Sequence, residues 1–571
     1  MNCRWLLNKT NPEFVRYLSR LTAVSPLLAQ ILINRGIKSA DTVHAFLHPA
    51  LTSLSDPYDL PDMKAAVERI KVARDRGERV LVHGDYDADG LTSTAIMVSA
   101  LRTLGIDVSS FIPNRMSHGY GFNPVSVGIA KKFGAKLIIT VDCGISSVDA
   151  AGEAKREGID VIITDHHEPS KEPGSGKELL IPDAVAVIDP KLQSSGSALS
   201  TLAGAGVAFK VAQAFALDGD LPFTDDDSFS LLDLAALGTL ADVVPLIGEN
   251  RAIMKEGLRS VRDGRRPGIK ALMEVSGITG REIKAGLLSF TVVPRINAAG
   301  RMGDAGDVVG LLLSDSDEET SSMARILDHT NSERQRIEEE VYQEALFQLE
   351  AKGYDAAIVL SGKGWHIGVL GIVASRIAEE FRRPAFIFSI AEGIAKGSAR
   401  SVPAFDVYGG IYRCRDIVIA FGGHKQAAGV KVDVSSLPAF EERMNSIVRD
   451  LLEREEAVPA IEIDAEVNLS EITASLVQEL SLLEPLGNGN PEPLLGARKL
   501  DVIKPRVVGS NHIRMRLQQR SSSLDAIGFD MARLFESLSS ASLDAVFTPM
   551  MNEWNGSRRL QLNLKAFRPS Q

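Results

Sequence analysis

Cysteine is nearly absent. The 571 residues hold three, Cys3, Cys143 and Cys414, far apart and without a CxxC pair. That argues against a disulfide framework or a thiolate zinc site and fits a reducing compartment, so the cytoplasm is expected. Long apolar runs are also missing. None reaches the roughly 18–20 residues that span a bilayer. The nearest, Leu231 to Ile247, is broken by Asp233 and Asp242. The first residues, Met1-Asn-Cys-Arg-Trp5, lack the apolar core of a signal peptide. No membrane association is expected.

Positive charge is in deficit, with a net charge of −11, which on average speaks against a nucleic-acid partner. The average hides an asymmetry. From Arg498 to the end there are twelve Lys and Arg against six Asp and Glu, a surplus of six positive charges. An acidic body with a basic terminal module suits a polyanion-binding unit attached to a catalytic one. The bland alternative is a basic tail that only tunes solubility.

At about 100–200 residues per domain the length predicts three or four domains. Residues 1–50 read as short helices. Residues 51–270 alternate strand and helix, as in βαβ units with a parallel sheet. Strands are predicted at Val80–Val82, Lys136–Val141, Val161–Ile163 and Ala184–Ile188, and helices at Met63–Arg76, Thr92–Leu104 and Val148–Glu157. The Lys171–Lys177 stretch reads as a surface loop. Residues 271–352 form a helical connector, ending in a long helix over Ser322–Lys352. A second α/β unit spans 353–456. Residues 457–571 alternate in strand fashion, for example Ala460–Asp464, His512–Leu517 and Leu560–Leu564, and read as an all-β module, most simply a five-stranded barrel. The expected fold is therefore two α/β domains joined by a long helix, followed by a small β-barrel.

Chemistry concentrates after the strands of the first unit. His83, Asp85, Asp87 and Asp89 follow Val80–Val82; Asp142 follows Val141; Asp165, His166 and His167 follow Thr164. A fourth acid, Asp242, follows the apolar stretch Leu234–Leu240. Open parallel sheets bind ligands beyond the carboxyl ends of their strands, so these groups can converge in one crevice. Imidazoles and carboxylates without thiolate suit Mn²⁺ or Mg²⁺, with zinc or iron as further options. Six or seven ligands are too many for one ion. They suit two ions about 3.5–4 Å apart sharing a carboxylate such as Asp142, an arrangement that serves phosphoester hydrolysis. A lone Asp after a strand is usually a helix cap or turn residue, as expected for Asp189 before Pro190. Alternation along an extended turn would point Asp87 and Asp89 the same way, leaving Asp85 beside them.

His83-Gly-Asp-Tyr-Asp-Ala-Asp-Gly90, Asp142-Cys-Gly144, Asp165-His-His167 and Ala241-Asp-Val243 resemble the four motifs of the DHH phosphoesterase superfamily. From about residue 25 onward the chain is similar to one branch, the RecJ family of bacterial single-stranded-DNA-specific exonucleases. Further matching stretches are Ile112-Pro-Asn-Arg115 with Gly119-Tyr-Gly121, Pro294–Arg301, Gly397–Ser401, Phe421-Gly-Gly-His424 and Glu484–Pro493. The resemblance implies His83, Asp87 and Asp142 around one Mn²⁺ or Mg²⁺, and Asp89, Asp142, His166 and Asp242 around the other. It implies His167 facing the scissile phosphate, with Asp165 orienting the histidines and Asp85 as a further catalytic candidate. The second α/β unit becomes a DHHA1 domain, and the barrel an OB-fold that grips single strands. Ser398 and Arg400 would hold a 5′-terminal phosphate, assisted by Gly423 and His424, with Arg115 and Arg301 on neighbouring phosphates. Arg301 and Arg400 could instead be structural ion pairs.

The implied activity is 5′→3′ hydrolysis of single-stranded DNA to 5′-mononucleotides in repair and recombination, by a monomer cooperating with a single-strand-binding protein and a helicase. Two rivals stand beside it. One is a phosphodiesterase of the same superfamily acting on short oligonucleotides or cyclic dinucleotides. The other is a non-catalytic DNA-binding scaffold.

Overall fold

The computed structural model describes residues 1–571 except 1–3, 115–120, 171–178, 193–196, 404, 453–459, 537–541, 555–556 and 571. The loop expected at Lys171–Lys177 lies outside the described residues.

The chain begins with strand β1 (Arg4–Leu7) and helices α1 (Pro12–Thr22), α2 (Pro26–Asn34) and α3 (Ala40–Leu47). The catalytic candidates sit in the next unit. Helix α4 (Met63–Arg76) buries Met63, Ala66, Val67, Ile70 and Ala73 on one stripe and stops at Gly77 in the left-handed region (φ 61°). Then follow β2 (Val80–Gly84), α5 (Ala88–Thr103), β3 (Val108–Phe111), α6 (Pro124–Phe133), β4 (Leu137–Val141), α7 (Val148–Arg156), β5 (Asp160–Thr164) and β6 (Ala186–Ile188). The five strands form a parallel sheet ordered β3-β2-β4-β5-β6. β2 and β4 are buried throughout, as expected of strands covered on both faces. Val80, Val82, Leu137 and Ile139 join the main core on one face, while Leu81, Ile138 and Val161 pack with α6 and α7 residues on the other.

A helical layer completes the unit: α8 (Gly204–Leu217), α9 (Asp225–Phe229), α10 (Leu232–Ala241), α11 (Gly248–Asp263), α12 (Pro267–Val275), α13 (Ala285–Met302) and α14 (Gly306–Leu313). The stretch before Asp242 is thus a helix, and Asp242 is its C-terminal cap. Helix α15 (Asp317–Lys352) follows, 36 residues and about 54 Å long at 1.5 Å per residue. It starts before the predicted Ser322 because Ser316 caps an acidic first turn, Asp317-Glu-Glu319. Ala324 and Leu327 join the first unit's core, and Val341, Ala345 and Leu349 join that of the second.

The second unit holds β7 (Ile358–Lys363), α16 (Ile367–Phe381), β8 (Ala385–Ala391), β9 (Ile394–Arg400), α17 (Val407–Tyr412), β10 (Val418–Gly423), β11 (Ala427–Asp433) and α18 (Leu437–Leu452). Its sheet, ordered β10-β11-β9-β8-β7, is mixed: only β7 and β8 run parallel. The glycine-rich Phe421–Gly423 is the end of strand β10 rather than a loop.

The remaining strands are β12 (Ala460–Ile463), β13 (Ala465–Glu466), β14 (Leu495–Val508), β15 (His512–Gln519), β16 (Ser522–Gly528), β17 (Ser542–Trp554) and β18 (Ser557–Pro569). β14, β15, β16, β18 and β17 pair in that order and β17 returns to β14, closing a five-stranded barrel. Two expectations need correction. β12 leaves the barrel and pairs in parallel with β1, so residues 1–50 are not wholly helical. Alternation reveals a strand, but not that its partner lies more than 450 residues away. Leu18, Leu28, Ile31, Leu32, Val43 and Leu47 also share one core with barrel residues such as Leu495, Phe547 and Leu562.

Candidate active site

The parallel sheet reverses its winding at β2, whose neighbours are β3 and β4, so a crevice opens beyond the carboxyl ends of β2 and β4. His83 is the fourth residue of β2. The chain leaves β2 and enters α5 at Ala88, with Asp87 as N-cap accepting from the amides of Asp89 (3.0 Å) and Gly90 (3.1 Å). Asp89 therefore lies in a helical first turn, not an extended one. Asp142 follows β4 with φ 59°, a left-handed conformation that few non-glycine residues hold. Asp165, His166 and His167 follow β5.

These residues converge. Asp85, Asp87 and Asp142 offer carboxylate oxygens within 4.8 Å of one another; Asp89, His166 and Asp242, and Asp142, His166 and His167, bring oxygens and ring nitrogens equally close. Asp142 belongs to two sets. His166 Nε2 stands 3.1 Å from Asp142 Oδ1, 3.7 Å from Asp242 Oδ2 and 3.8 Å from Asp89 Oδ2. Asp85 joins Asp87, while Asp89 stands in another set; the turn into α5 breaks the alternation that would have kept Asp87 and Asp89 together. His83 belongs to none of the three sets. It is fully buried and tilts against Phe111 and Phe122.

The donors fit a divalent ion. His83 Nδ1 and Nε2, Asp85 Oδ1, Asp142 Oδ1 and His166 Nε2 are buried without a hydrogen-bond partner. Each such atom costs about 1–3 kcal/mol unless something satisfies it. Oxygens and imidazoles without thiolate match Mn²⁺ or Mg²⁺. Cys143 is no ligand: its Sγ donates to the His83 carbonyl (3.9 Å), and burial pushes the thiol well above its ordinary pKa.

Crowding and burial govern the charges. Burial, then the neighbouring Asp87, pushes Asp85 up to about 8. Burial and Asp242 push Asp89 up to about 7; burial and Asp87 push Asp242 up to about 6. Asp142 rises well above the carboxylate range through burial and Asp89. Burial drives His83 down to about 4 and lowers His166, keeping both neutral as ligands must be. His167 behaves oppositely. Burial would lower it, but Asp165 Oδ1, 2.7 Å from its Nδ1, lifts it to about 9. Asp165 is anchored by the amides of Ile145 (2.9 Å), His166 (2.7 Å) and His167 (3.2 Å). Burial would raise its pKa, but the hydrogen bond and charge of the His167 ring, then the charge of His166 and the Ile145 amide, hold it below the ordinary value. Asp189 is a turn residue as expected, accepting from Lys191 N (2.8 Å).

Two supports escaped sequence reasoning. The amides of Gly204 and Ala205, opening α8, donate to Asp89 at 2.8 and 2.9 Å. A Cβ on Gly204 would stand 2.6 Å from that of Asp142, so only glycine lets this helix end approach both acids. The run Ala203-Gly-Ala-Gly206 was the available signal. From α13, Asn297 Oδ1 accepts from Ala88 N (2.8 Å) and fixes the start of α5.

The last helices of the first unit and the second unit supply basic groups. Arg301, near the end of α13, donates to Gly368 O (3.2 Å) at the start of α16. On β9, Arg400 Nη1 donates to Ser398 Oγ (3.2 Å), and Gly371 of α16 leaves room for both. Gly423, at φ 140°, ends β10, and exposed His424 opens the turn into β11. Burial lowers the His424 pKa, with the charges of Arg400 and His167 adding to it. Arg115 and Gly119–Tyr120 lie outside the described residues.

Comparison with known proteins adds independent findings. Family models match over residues 79–239 (DHH family, N-terminal domain), 354–450 (DHHA1 domain) and 463–566 (RecJ OB domain). The chain is 39% identical over 568 residues to a single-stranded-DNA-specific exonuclease RecJ of Bacillus subtilis, covering 98% of this chain and 70% of that protein. It is 35% identical to the Escherichia coli RecJ, covering 94% and 95%. A crystal structure of RecJ in complex with Mn²⁺ from Thermus thermophilus superposes with TM-score 0.86 at 32% identity, covering 100% of this chain and 80% of that one. Among the described residues no helix is long and apolar enough to cross a membrane.

Proposed function

Because the chain belongs to the RecJ family of single-stranded-DNA-specific exonucleases, we propose that it hydrolyses single-stranded DNA from the 5′ end, releasing 5′-mononucleotides in repair and recombination. The observation that carries this reading is Asp142, which belongs to two of the ligand sets at one crevice and whose buried Oδ1 has no hydrogen-bond partner. His83, Asp85, Asp87 and Asp142 would hold one Mn²⁺ or Mg²⁺, and Asp89, Asp142, His166 and Asp242 the other. Ions held there would lower the pKa of water and offset charge on a phosphoryl oxygen.

The chain's own groups do the rest. His167, kept protonated by Asp165, donates to an oxygen of the scissile phosphate. Ser398 and Arg400 hold the terminal 5′-phosphate through hydroxyl and guanidinium, assisted by Gly423 and His424, and Arg115 and Arg301 hold its neighbours. The strand reaches them across the basic barrel, whose grip on the backbone needs no base reading. We assign residues 51–270 as the DHH domain, 271–352 as connector, 353–456 as DHHA1 and 457–571 as the OB module. A substrate that must be single-stranded calls for a helicase to unwind it and a single-strand-binding protein to cover it. With few cysteines, we place the enzyme in the cytoplasm as a monomer.

The test is digestion of long single strands labelled at the 5′ or 3′ end, with and without Mn²⁺. The expected result is Mn²⁺-dependent release of the 5′ label first, as mononucleotide, with duplex untouched. Release of the 3′ label first overturns the polarity, and intact long strands overturn the substrate class.

A further inference from the structure

Asp242 is held by a loop with a strained backbone. Val243, which follows it, is a β-branched residue at φ 58° and is 64% exposed. Such a conformation persists only when its surroundings over-determine it. Those surroundings come from the other end of the chain. Asn488 Nδ2 donates to Val243 O (2.8 Å), and Leu246 N donates to Asn488 O (2.7 Å), so one residue grips the loop on both sides. Its flanking glycines make the contact possible. A Cβ on Gly489 would come within 2.9 Å of Pro245, and one on Gly487 within 2.8 Å of Leu246.

The gripping segment is itself rigid. Gly487 and Asn490 exchange backbone hydrogen bonds (2.9 and 3.1 Å). Asn490 is fully buried and donates to the carbonyls of Leu483 and Pro485, both at 2.7 Å. Arg251, 1% exposed, directs its guanidinium at the carbonyls of Phe46, Leu482, Leu483, Glu484 and Pro485. Arg251 sits on α11, the helix that the Asp242 loop runs into. The lead-in to the barrel is thereby fastened to the same element that carries the loop.

We propose that Asn488 is a positioning residue for the metal centre: by holding Val243 in its left-handed conformation it aims Asp242 at His166 and Asp89. This rests on the metal-site reading above. It means that the barrel's lead-in completes one of the two ion sites and not the other. Groups that orient a ligand from behind typically matter about 10–100-fold in metal affinity.

The full-length protein tests it without DNA. Mn²⁺ titration followed by electron paramagnetic resonance should show one site weakened about 10-fold in Asn488→Ala and the other unchanged. Hydrogen exchange of the metal-free variant should speed up at residues 243–247 and not at 137–141. Val243→Gly removes the strain, so Asn488→Ala should cost less affinity in that background. Equal loss at both sites, no loss at either, or unaltered exchange at 243–247 overturns the proposal. Should the wild type bind no Mn²⁺, the metal reading of the function fails, while the exchange result still decides whether Asn488 holds the loop.

Discussion

The two α/β units treat charge in opposite ways. The parallel sheet gathers Asp85, Asp89, Asp142 and Asp165 at its strand ends, each no more than 3% exposed. The mixed sheet keeps Arg400 half-buried on a strand and His424 exposed at a hairpin. Acids crowded out of water lose their charge unless cations join them. Arg400 stays charged and can meet a polyanion directly, while His424, its pKa lowered, offers a neutral imidazole beside it. In the function proposed above, the first unit is completed by ions and the second by the strand those ions act on.

The comparison breaks most severely at Asp142. Asp142→Ala, by removing the acid common to both sets, should lower kcat at least about 1000-fold, roughly 4 kcal/mol of transition-state stabilisation, with little change in DNA affinity. A KM change without a kcat change would place Asp142 in strand binding instead. Next comes Asp165→Asn, which deprives His167 of the partner that keeps it charged. About 10–100-fold should be lost in kcat, and the alkaline limb of the pH–rate profile should move to lower pH. Arg400→Ala belongs to the other unit. It should raise KM about 10-fold for strands bearing a 5′-phosphate, less for strands lacking one, and leave Mn²⁺ affinity unchanged.

The smallest effect is on stability against pH in the metal-free protein. Asp85, Asp89 and Asp242 have folded pKa values raised to about 8, 7 and 6, and Asp142 is raised too. The folded state therefore binds more protons than the unfolded between pH ~4 and those values. Their contribution is fully present below the unfolded carboxylate pKa and is lost as pH rises through the folded ones. His167, raised to about 9, adds a loss between pH ~6.5 and 9; His83, lowered to about 4, works oppositely between pH ~4 and 6.5. Thermal melts in chelator should fall from pH 6 to 8, and Mn²⁺ should abolish the fall. A melt that rises over that window contradicts the burial argument.

What could be read from residues alone follows the same division. The parallel sheet was legible because apolar strands, each followed by Asp or His, announce both fold and site within a few positions. The motifs after β2, β4 and β5 do meet. Local patterns misled where geometry turns within those few positions: Asp87 caps a helix, so alternation misplaced Asp89 beside it, and the apolar stretch before Asp242 proved helical. Distant pairings were out of reach. Nothing in Arg4–Leu7 names Ala460–Ile463 as its partner, and nothing near Asp242 names Asn488. Gly204 was missed because a small-residue run signals close approach without saying to what.

Two ions sharing one carboxylate are the centre of the proposed site. Low-temperature electron paramagnetic resonance of the Mn²⁺-loaded protein tests this most directly. Wild type should show the spectrum of an exchange-coupled Mn²⁺ pair, replaced in Asp142→Ala by the six-line signal of isolated Mn²⁺ or by no bound signal. A wild-type spectrum of isolated Mn²⁺ at full occupancy would contradict it.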